Sequence, residues 1–404
     1  MDKRSFLKCM GLSILGCTTL DTQKALASST TKSKSVKQTV QNSLIINRNE
    51  EAIKNIVASK KHLDTKYMGY VAKSHSNLFT LAHLSDIHTD SKRYRNFQEF
   101  VDGVDAIDAA ICTGDFVIAA KKEEFDYIHK VEFKKTFLKV IGNHERARVE
   151  NATLPFVYER LGLHTNTGEL YYYHDFAEYK IRIIALNQFD IDAKGSVNSA
   201  VEHYSQTQIN WFIDTLKDAQ SRGYAVAVAM HAPNVDMIPK ANNKAFYQRH
   251  YGWIGECGSV ISGPIIEDII DVFRHGGTIK NSYTYADVPG LKTVADATFT
   301  GGGIFMAYMV GHEHADFIGY SNFHADQLYL MMNVSCCMPE YANYNFGEEV
   351  SDLARIEETH TEDCFNVYSF DVENKLIKVV RVGSDVNDLM EDRKKACYSF
   401  DGLI

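Results

Sequence analysis

Five short segments carry the side chains of this chain that could do chemistry: Asp86-Ile87-His88, Gly114-Asp115, Gly142-Asn143-His144-Glu145, the lone His231, and Gly311-His312-Glu313-His314. Each supplies Asp, Asn or His, the oxygen and nitrogen donors that suit divalent cations such as Mn, Fe or Zn. Together they hold enough donors for two ions. Two ions about 3.5–4 Å apart suit in-line displacement at phosphorus, because they polarise phosphate oxygens and lower the pKa of a water. Asp86 and His88 lie two apart, so at an extended strand end they point the same way. Asp115 has two oxygens and can bridge a pair of ions. Asn143 offers a neutral oxygen, which limits the charge at its ion.

The spacing says which elements must position these groups. There are 29 residues from Asp86 to Asp115 and 28 from Asp115 to Asn143. One strand-helix unit fits each step, so each motif can fall at the end of a neighbouring strand. Apolar runs at 78–84, 106–112 and 137–141 predict those strands, with helices at 93–103 and 121–130 between them. Alternating strand and helix implies a parallel βαβ start. Further short strands are predicted at 170–176, 180–187, 224–230, 307–310 and 327–334. The strand at 224–230 delivers His231. Residues 205–220 read as a helix with Ser205 as N-cap and Gln208 at N3. Residues 364–371 and 376–382 read as a hairpin. The stretch 232–303 looks irregular, with Tyr247, Arg249, His250, Trp253, Tyr283, Tyr285 and the triplet Gly301-Gly302-Gly303. It is expected to be an insertion that roofs the site and selects the substrate.

The ordered set D-x-H, G-D, G-N-H-E, H and G-H-x-H resembles the calcineurin-like metallophosphoesterases over roughly residues 78–383. The resemblance implies an α/β (α+β) fold: two mixed β-sheets packed as a sandwich between helices, with a dinuclear metal site at the carboxyl ends of strands. It implies that one ion takes Asp86, His88, Asp115 and His314, and the other Asp115, Asn143, His231 and His312. It implies attack of a metal-bridging hydroxide on a phosphomonoester or phosphodiester, with His144 serving the leaving oxygen and Asp115 at the reacting centre. Asn143 and Arg146, with Arg148 beside it, are candidates to touch the substrate phosphate. Glu145 is expected to hold a turn. Alternatives are a pyrophosphate-bond hydrolase acting on nucleotide-sugars or lipid diphosphates, and a non-catalytic scaffold of the same fold. Many relatives read G-D-x-x-D at the second motif, where this chain has Ile118. With His88, that residue argues against the purple acid phosphatase branch. Adenosine-type specificity through the further domain that exported 5′-nucleotidases use to bind the base is not expected.

The flanks read differently. Lys3-Arg4, an apolar stretch from Cys9 to Leu20 and Ala25-Leu26-Ala27 predict a signal peptide over 1–27. Ile14-Leu15-Gly16-Cys17 also resembles a lipoprotein box, which would place a lipid anchor on Cys17. Either reading implies export to a periplasmic or outer-surface location. The Lys3-Arg4 pair leaves open Sec or twin-arginine export. Residues 28–77 read as a linker and short N-terminal segment, with Ile53, Ile56 and Val57 at helical spacing. Residues 384–404 read as a C-terminal extension. No later stretch is apolar enough to span a membrane. The formal charge of −9 becomes −11 without residues 1–27. That balance argues against coating nucleic acid and leaves a small phosphorylated substrate as the expected partner. Cys112, Cys257, Cys336, Cys337, Cys364 and Cys397 form no C-x-x-C pair, and Cys112 is expected in the core. His174, His203, His250 and His324 follow no ligand pattern, and Trp211 is expected to pack.

Overall fold

The structure, a computed structural model, describes residues 44–60, 66–67, 70–71, 78–146, 153–190, 203–233, 264–284, 290–312, 317–321, 324–331, 356–383 and 395–400. In chain order the elements are α1 (Leu44–Arg48), α2 (Glu50–Ser59), β1 (Lys66–Tyr67), β2 (Tyr70–Val71), β3 (Phe79–Leu84), α3 (Ser91–Gly103), β4 (Ala109–Cys112) and β5 (Thr136–Lys139). Next come α4 (Leu154–Arg160), β6 (Tyr172–Phe176), β7 (Ile181–Ala185), α5 (Gln206–Arg222) and β8 (Ala225–Ala229). Then follow α6 (Ile265–His275), β9 (Gly277–Thr284), β10 (Lys292–Phe299), β11 (Ile304–Val310), β12 (Phe317–Tyr320) and β13 (Leu328–Met331). The last are β14 (Cys364–Asp371), β15 (Leu376–Gly383) and β16 (Lys395–Ser399).

Two six-stranded mixed sheets result. The first has the order β16-β15-β14-β3-β4-β5, and the second β12-β13-β11-β8-β7-β6. The strands β3, β4 and β5 run parallel, as do β7, β8, β11 and β13. Parallel strands are buried on both faces and so read as continuous apolar runs. Accordingly every residue of β3, β4 and β8 is buried.

Side-chain alternation sorts those strands into layers. Phe79, Leu81, Ala109 and Ile111 of the first sheet share one core with Ile181, Ile183, Ala225, Ala227 and Ala229 of the second. The small alanines of β8 let that face accept larger side chains from across the gap. On the outer face of the first sheet, Leu84 and Cys112 pack with Ile53, Ile56, Tyr94, Phe97 and Phe100 of α2 and α3. On the outer face of the second, Val226 and Val228 pack with Ile209, Phe212, Ile269 and Phe273 of α5 and α6. Asp90 starts α3 by accepting from the Arg93 backbone N–H, and Ser205 starts α5 by accepting from that of Gln208. Tyr94, Phe97 and Phe100 are almost fully buried on one face of α3. Truncating any of them to Ala is expected to cost about 3–5 kcal/mol.

The structure departs from the sequence reading at residues 121–130 and from Pro264 onward. Residues 121–130 form two short 3₁₀ turns, Lys122–Phe125 and Ile128–Lys130, instead of one helix. There the Glu124 carboxylate turns back to accept from the Ala119 and Lys121 backbone N–H groups. From Pro264 onward the stretch expected to be irregular is regular. The helix α6 buries Ile265, Ile266, Ile269, Ile270 and Phe273, and β9 and β10 pair along their full length. These elements form part of the outer layer of the second sheet. Tyr283, expected over the site, is buried in that layer and donates to Asp268. The segment 234–263, with Tyr247, Arg249, His250 and Trp253, lies outside the described residues, as do Tyr285, Arg148, His314, residues 1–27 and Cys17. In the N-terminal segment, where helical spacing was read, α1 and α2 are helices, and Arg48 of α1 pairs with Glu362 at 2.8 Å and also with Asp363. No described helix is long and apolar enough to cross a membrane.

Candidate metal centre

The motif loops leave the strands at one end of the sandwich and bond to each other there. Asp86 and His88 donate their backbone N–H groups to the carbonyls of Gly114 and Asp115, both at 2.9 Å. Gly311 donates to the His231 carbonyl at 2.7 Å. Asp86 ties the sheets together, because its Oδ2 accepts from the His312 backbone N–H at 3.1 Å and from the Ser85 hydroxyl. The chain curls sharply at these points. Asp86, His88, Asp115 and His312 have φ of 57°, 48°, 55° and 72°, a left-handed region that L side chains rarely adopt. Such strain persists where surrounding structure enforces it, and it clusters at functional sites. Two glycines allow the close approach. A Cβ at Gly142 would overlap the Asp115 carboxylate, and one at Gly311 would overlap Ser85 and the Asp86 carboxylate.

Donor atoms converge around Asp115. His231 Nε2 lies 3.2 Å from Asp115 Oδ2 and 3.0 Å from Asn143 Oδ1. His312 Nδ1 lies 3.1 Å from that same oxygen and 3.2 Å from His231 Nε2. Ligands about 2.1 Å from one ion at right angles stand about 3 Å apart, so this spacing is that of a coordination shell. A second group opens on the other side. His88 Nε2 lies 3.8 Å from Asp115 Oδ2 and 3.9 Å from Asp86 Oδ1. His88, Asp115 and His144 form one set of donors close enough to share an ion, and Asp115, His231 and His312 another.

The residues fit a cation. Asp86 Oδ1 is buried and has no hydrogen-bond partner among the described residues. Burial pushes the Asp86 carboxyl well above the usual range, against the pull of His231. Burial pushes Asp115 the same way, but the charges of His231 and His144 bring it well below. His231 would be lowered by burial, yet Asp115 and Asp86 hold it up at about 10, while burial takes His88 down to about 4. Two carboxylates and several imidazoles packed this closely cannot all be satisfied by protons. A divalent cation keeps the carboxylates ionised and the imidazoles neutral.

Hydrogen bonds aim the imidazoles. His231 Nδ1 donates to the Thr113 carbonyl at 2.6 Å, which turns Nε2 toward the centre. His144 Nδ1 donates to the Ile118 carbonyl at 2.6 Å, so its Nε2 faces Asp115 Oδ2 at 3.9 Å. The fully buried Glu145 holds the loops. Its Oε2 accepts from Asp115 and Gly142, and its Oε1 from Val117. Arg146 is buried, and its backbone N–H donates to the Asn143 carbonyl.

The structure thus brings Asp86, His88, Asp115, Asn143, His144, His231 and His312 together. The supporting groups Ser85, Thr113 and the Ile118 carbonyl went unread in the sequence. Ser85 directly precedes the first motif and was open to notice, whereas backbone carbonyls leave no trace in residue types. His324 bonds to Asp268, His203 is buried, and Trp211 packs on Tyr171.

The family model described as calcineurin-like phosphoesterase matches residues 79–316. Solved structures similar to this chain include a dimetal phosphatase from Danio rerio, at 10% identity and a TM-score of 0.48, covering 80% of this chain and 99% of that one. Another is the phosphopantetheinyl hydrolase PptH of Mycobacterium tuberculosis, at 13% identity and a TM-score of 0.34, covering 63% of this chain and 88% of that one. A search of curated proteins gives no match. With the family model spanning more than half its length and all the described motif residues gathered at one centre, the chain belongs to the calcineurin-like phosphoesterases, hydrolases of phosphoester bonds.

Proposed function

We propose that the protein hydrolyses phosphomonoesters or phosphodiesters with two divalent metal ions, Mn, Fe, Zn or similar. The observation that carries this reading is the convergence of His231 Nε2, Asn143 Oδ1 and Asp115 Oδ2 within about 3 Å, with His88 on the far side of the same carboxylate. Bound there, the ions supply Lewis acidity at phosphorus and a water acidic enough to attack at neutral pH. The protein's own residues do the rest. Asp115, Asn143, His231 and His312 would hold one ion, and Asp86, His88 and Asp115 the other, with His314 its further ligand by the family resemblance. The left-handed loops keep these donors in place before substrate arrives. His144, with Nδ1–H fixed on the Ile118 carbonyl, presents Nε2 to the leaving oxygen and passes it a proton. With Asn143 Oδ1 beside both histidines, its amide N–H groups and Arg146 are assigned to the phosphate.

The test is turnover of p-nitrophenyl phosphate and bis-p-nitrophenyl phosphate by metal-stripped protein with Mn, Zn, Fe or Mg added back, beside Asp115→Asn. Metal-dependent turnover lost in the variant supports the proposal, and the preferred ester separates monoesterase from diesterase. Protein that binds two ions and cleaves neither ester counts against it and favours a pyrophosphate substrate or a scaffold. We also place the protein outside the cytoplasm, on the basis of residues 3–27. Cell fractionation of the wild type and Cys17→Ala checks this, and a cytoplasmic wild type would refute it.

A further inference from the structure

An apolar residue stands exposed beside the centre. Among the described residues, Ile118, Ile304 and Ile356 are the exposed large hydrophobics, and Ile118 is 42% exposed. Its carbonyl accepts from His144 Nδ1 at 2.6 Å. Adding one carbonyl bond and one Cα–C bond places the Ile118 Cα within about 5 Å of the His144 ring. This segment is pinned on both sides. Val117 donates to Glu145 Oε1 at 3.1 Å, and Ala119 donates to Glu124 Oε2 at 2.8 Å. Phe116 and Val117, just before it, are fully buried. The isoleucine is therefore held out on a rigid turn. Leaving apolar surface in water is unfavourable, and a rigid apolar wall loses little entropy when something packs on it.

We propose that Ile118 forms the wall against which the leaving group of the substrate packs, so that the site favours phosphoesters whose leaving group carries an aromatic or hydrocarbon surface next to the ester oxygen. This rests on the assignment of His144 to the leaving oxygen, since the group that His144 serves then lies against Ile118. The position in the second motif where many relatives place a carboxylate here supplies a carbonyl to His144 and an apolar side chain to the substrate.

The test compares 2-naphthyl phosphate with glycerol 2-phosphate for wild type and Ile118→Ala, each in its Mn-loaded form. The expected result is a kcat/KM loss on naphthyl phosphate about three- to tenfold greater than on glycerol phosphate, the scale of a partly buried three-carbon deletion. Equal losses on both esters, or no loss on either, would overturn the proposal. Calorimetric binding of phenylphosphonate against methylphosphonate reads the wall without turnover. Tighter phenylphosphonate binding that Ile118→Ala removes would support the wall even if the wild type cleaved neither ester, in which case only the hydrolase reading fails. Equal affinity of the wild type for the two phosphonates would refute the wall itself.

Discussion

Replacing Glu267 with Gln should make the protein's stability less sensitive to pH. Glu267 lies on α6 with 1% of its surface exposed, and burial pushes its carboxyl up to about 7, against bonds from Tyr329 and Ser321 that work the other way. The unfolded chain ionises near the ordinary 4.5, whereas the folded chain keeps the proton until about 7. Between those values the native state binds the extra proton, so stability falls as pH rises, and above them the full cost is present. A rise from 4.5 to about 7 corresponds to about 3 kcal/mol. The hydrogen bonds to the carboxyl from Ser321 at 3.0 Å and Tyr329 at 2.7 Å end on Oε1, a position an amide oxygen can take. The variant keeps those bonds and carries no charge at any pH. Urea unfolding of both proteins at pH 4.5, 6 and 8 should show the variant gaining about 3 kcal/mol on the wild type across that range, mostly before pH 7. A difference constant to within about 0.5 kcal/mol would refute the claim that this carboxyl titrates under the strain of burial.

Other consequences are as direct. Chelation of bound metal should lower the thermal midpoint, and metal restored at a hundred times its Kd should add about 2.7 kcal/mol to the wild type. A thermal scan of His231→Ala should show a markedly smaller gain, and an equal gain would remove His231 from the ligand set. Gly142→Ala should abolish tight metal binding or folding, because the new methyl group meets the Asp115 carboxylate and backbone. Equilibrium dialysis showing wild-type metal affinity in that variant would contradict the packing. Arg182 is fully buried and bridges Asp175, Asp218 and the Thr215 carbonyl. Arg182→Met should cost about 2–4 kcal/mol in urea unfolding, less than a fully buried pair because Asp218 is half exposed.

The clustering of the motif residues was readable because each motif follows a strand and the strands announce themselves as apolar runs. The strands β3 and β8 begin and end within a residue of where the sequence placed them, and Ser205 caps α5 as its type suggests. What escaped has physical reasons. The amphipathic pattern of α6 was present in Ile265, Ile266, Ile269, Ile270 and Phe273, but neighbouring aromatic and glycine residues gave the stretch the look of a loop. In β9 only Ile279 and Tyr283 are buried, so no alternation marks it; β10 carries the signal in Thr293, Ala295, Ala297 and Phe299. The 3₁₀ turns at 122–130 share composition with a helix, and Glu124 bonds back to the Lys121 N–H at the start of the first turn as it would in a helix, so residue types do not separate the two.

The place of β3 in its sheet bears on how the chain comes into being. It is an inner strand, with β4 on one side and β14 on the other, and His83 faces Asn366 across that second ladder. The partner is 283 residues downstream. At about 5–20 residues per second, roughly 15–60 s of synthesis separate the two. Throughout that interval one edge of a strand that ends fully buried has no native neighbour, and such an edge is a template for strands of other chains. The ion pair of Arg48 with Glu362 must wait for the same late arrival. Yield on expression is thus governed by what shields an early strand on the ribosome as much as by the stability of the finished sandwich, and it should respond to chaperone supply and temperature during synthesis.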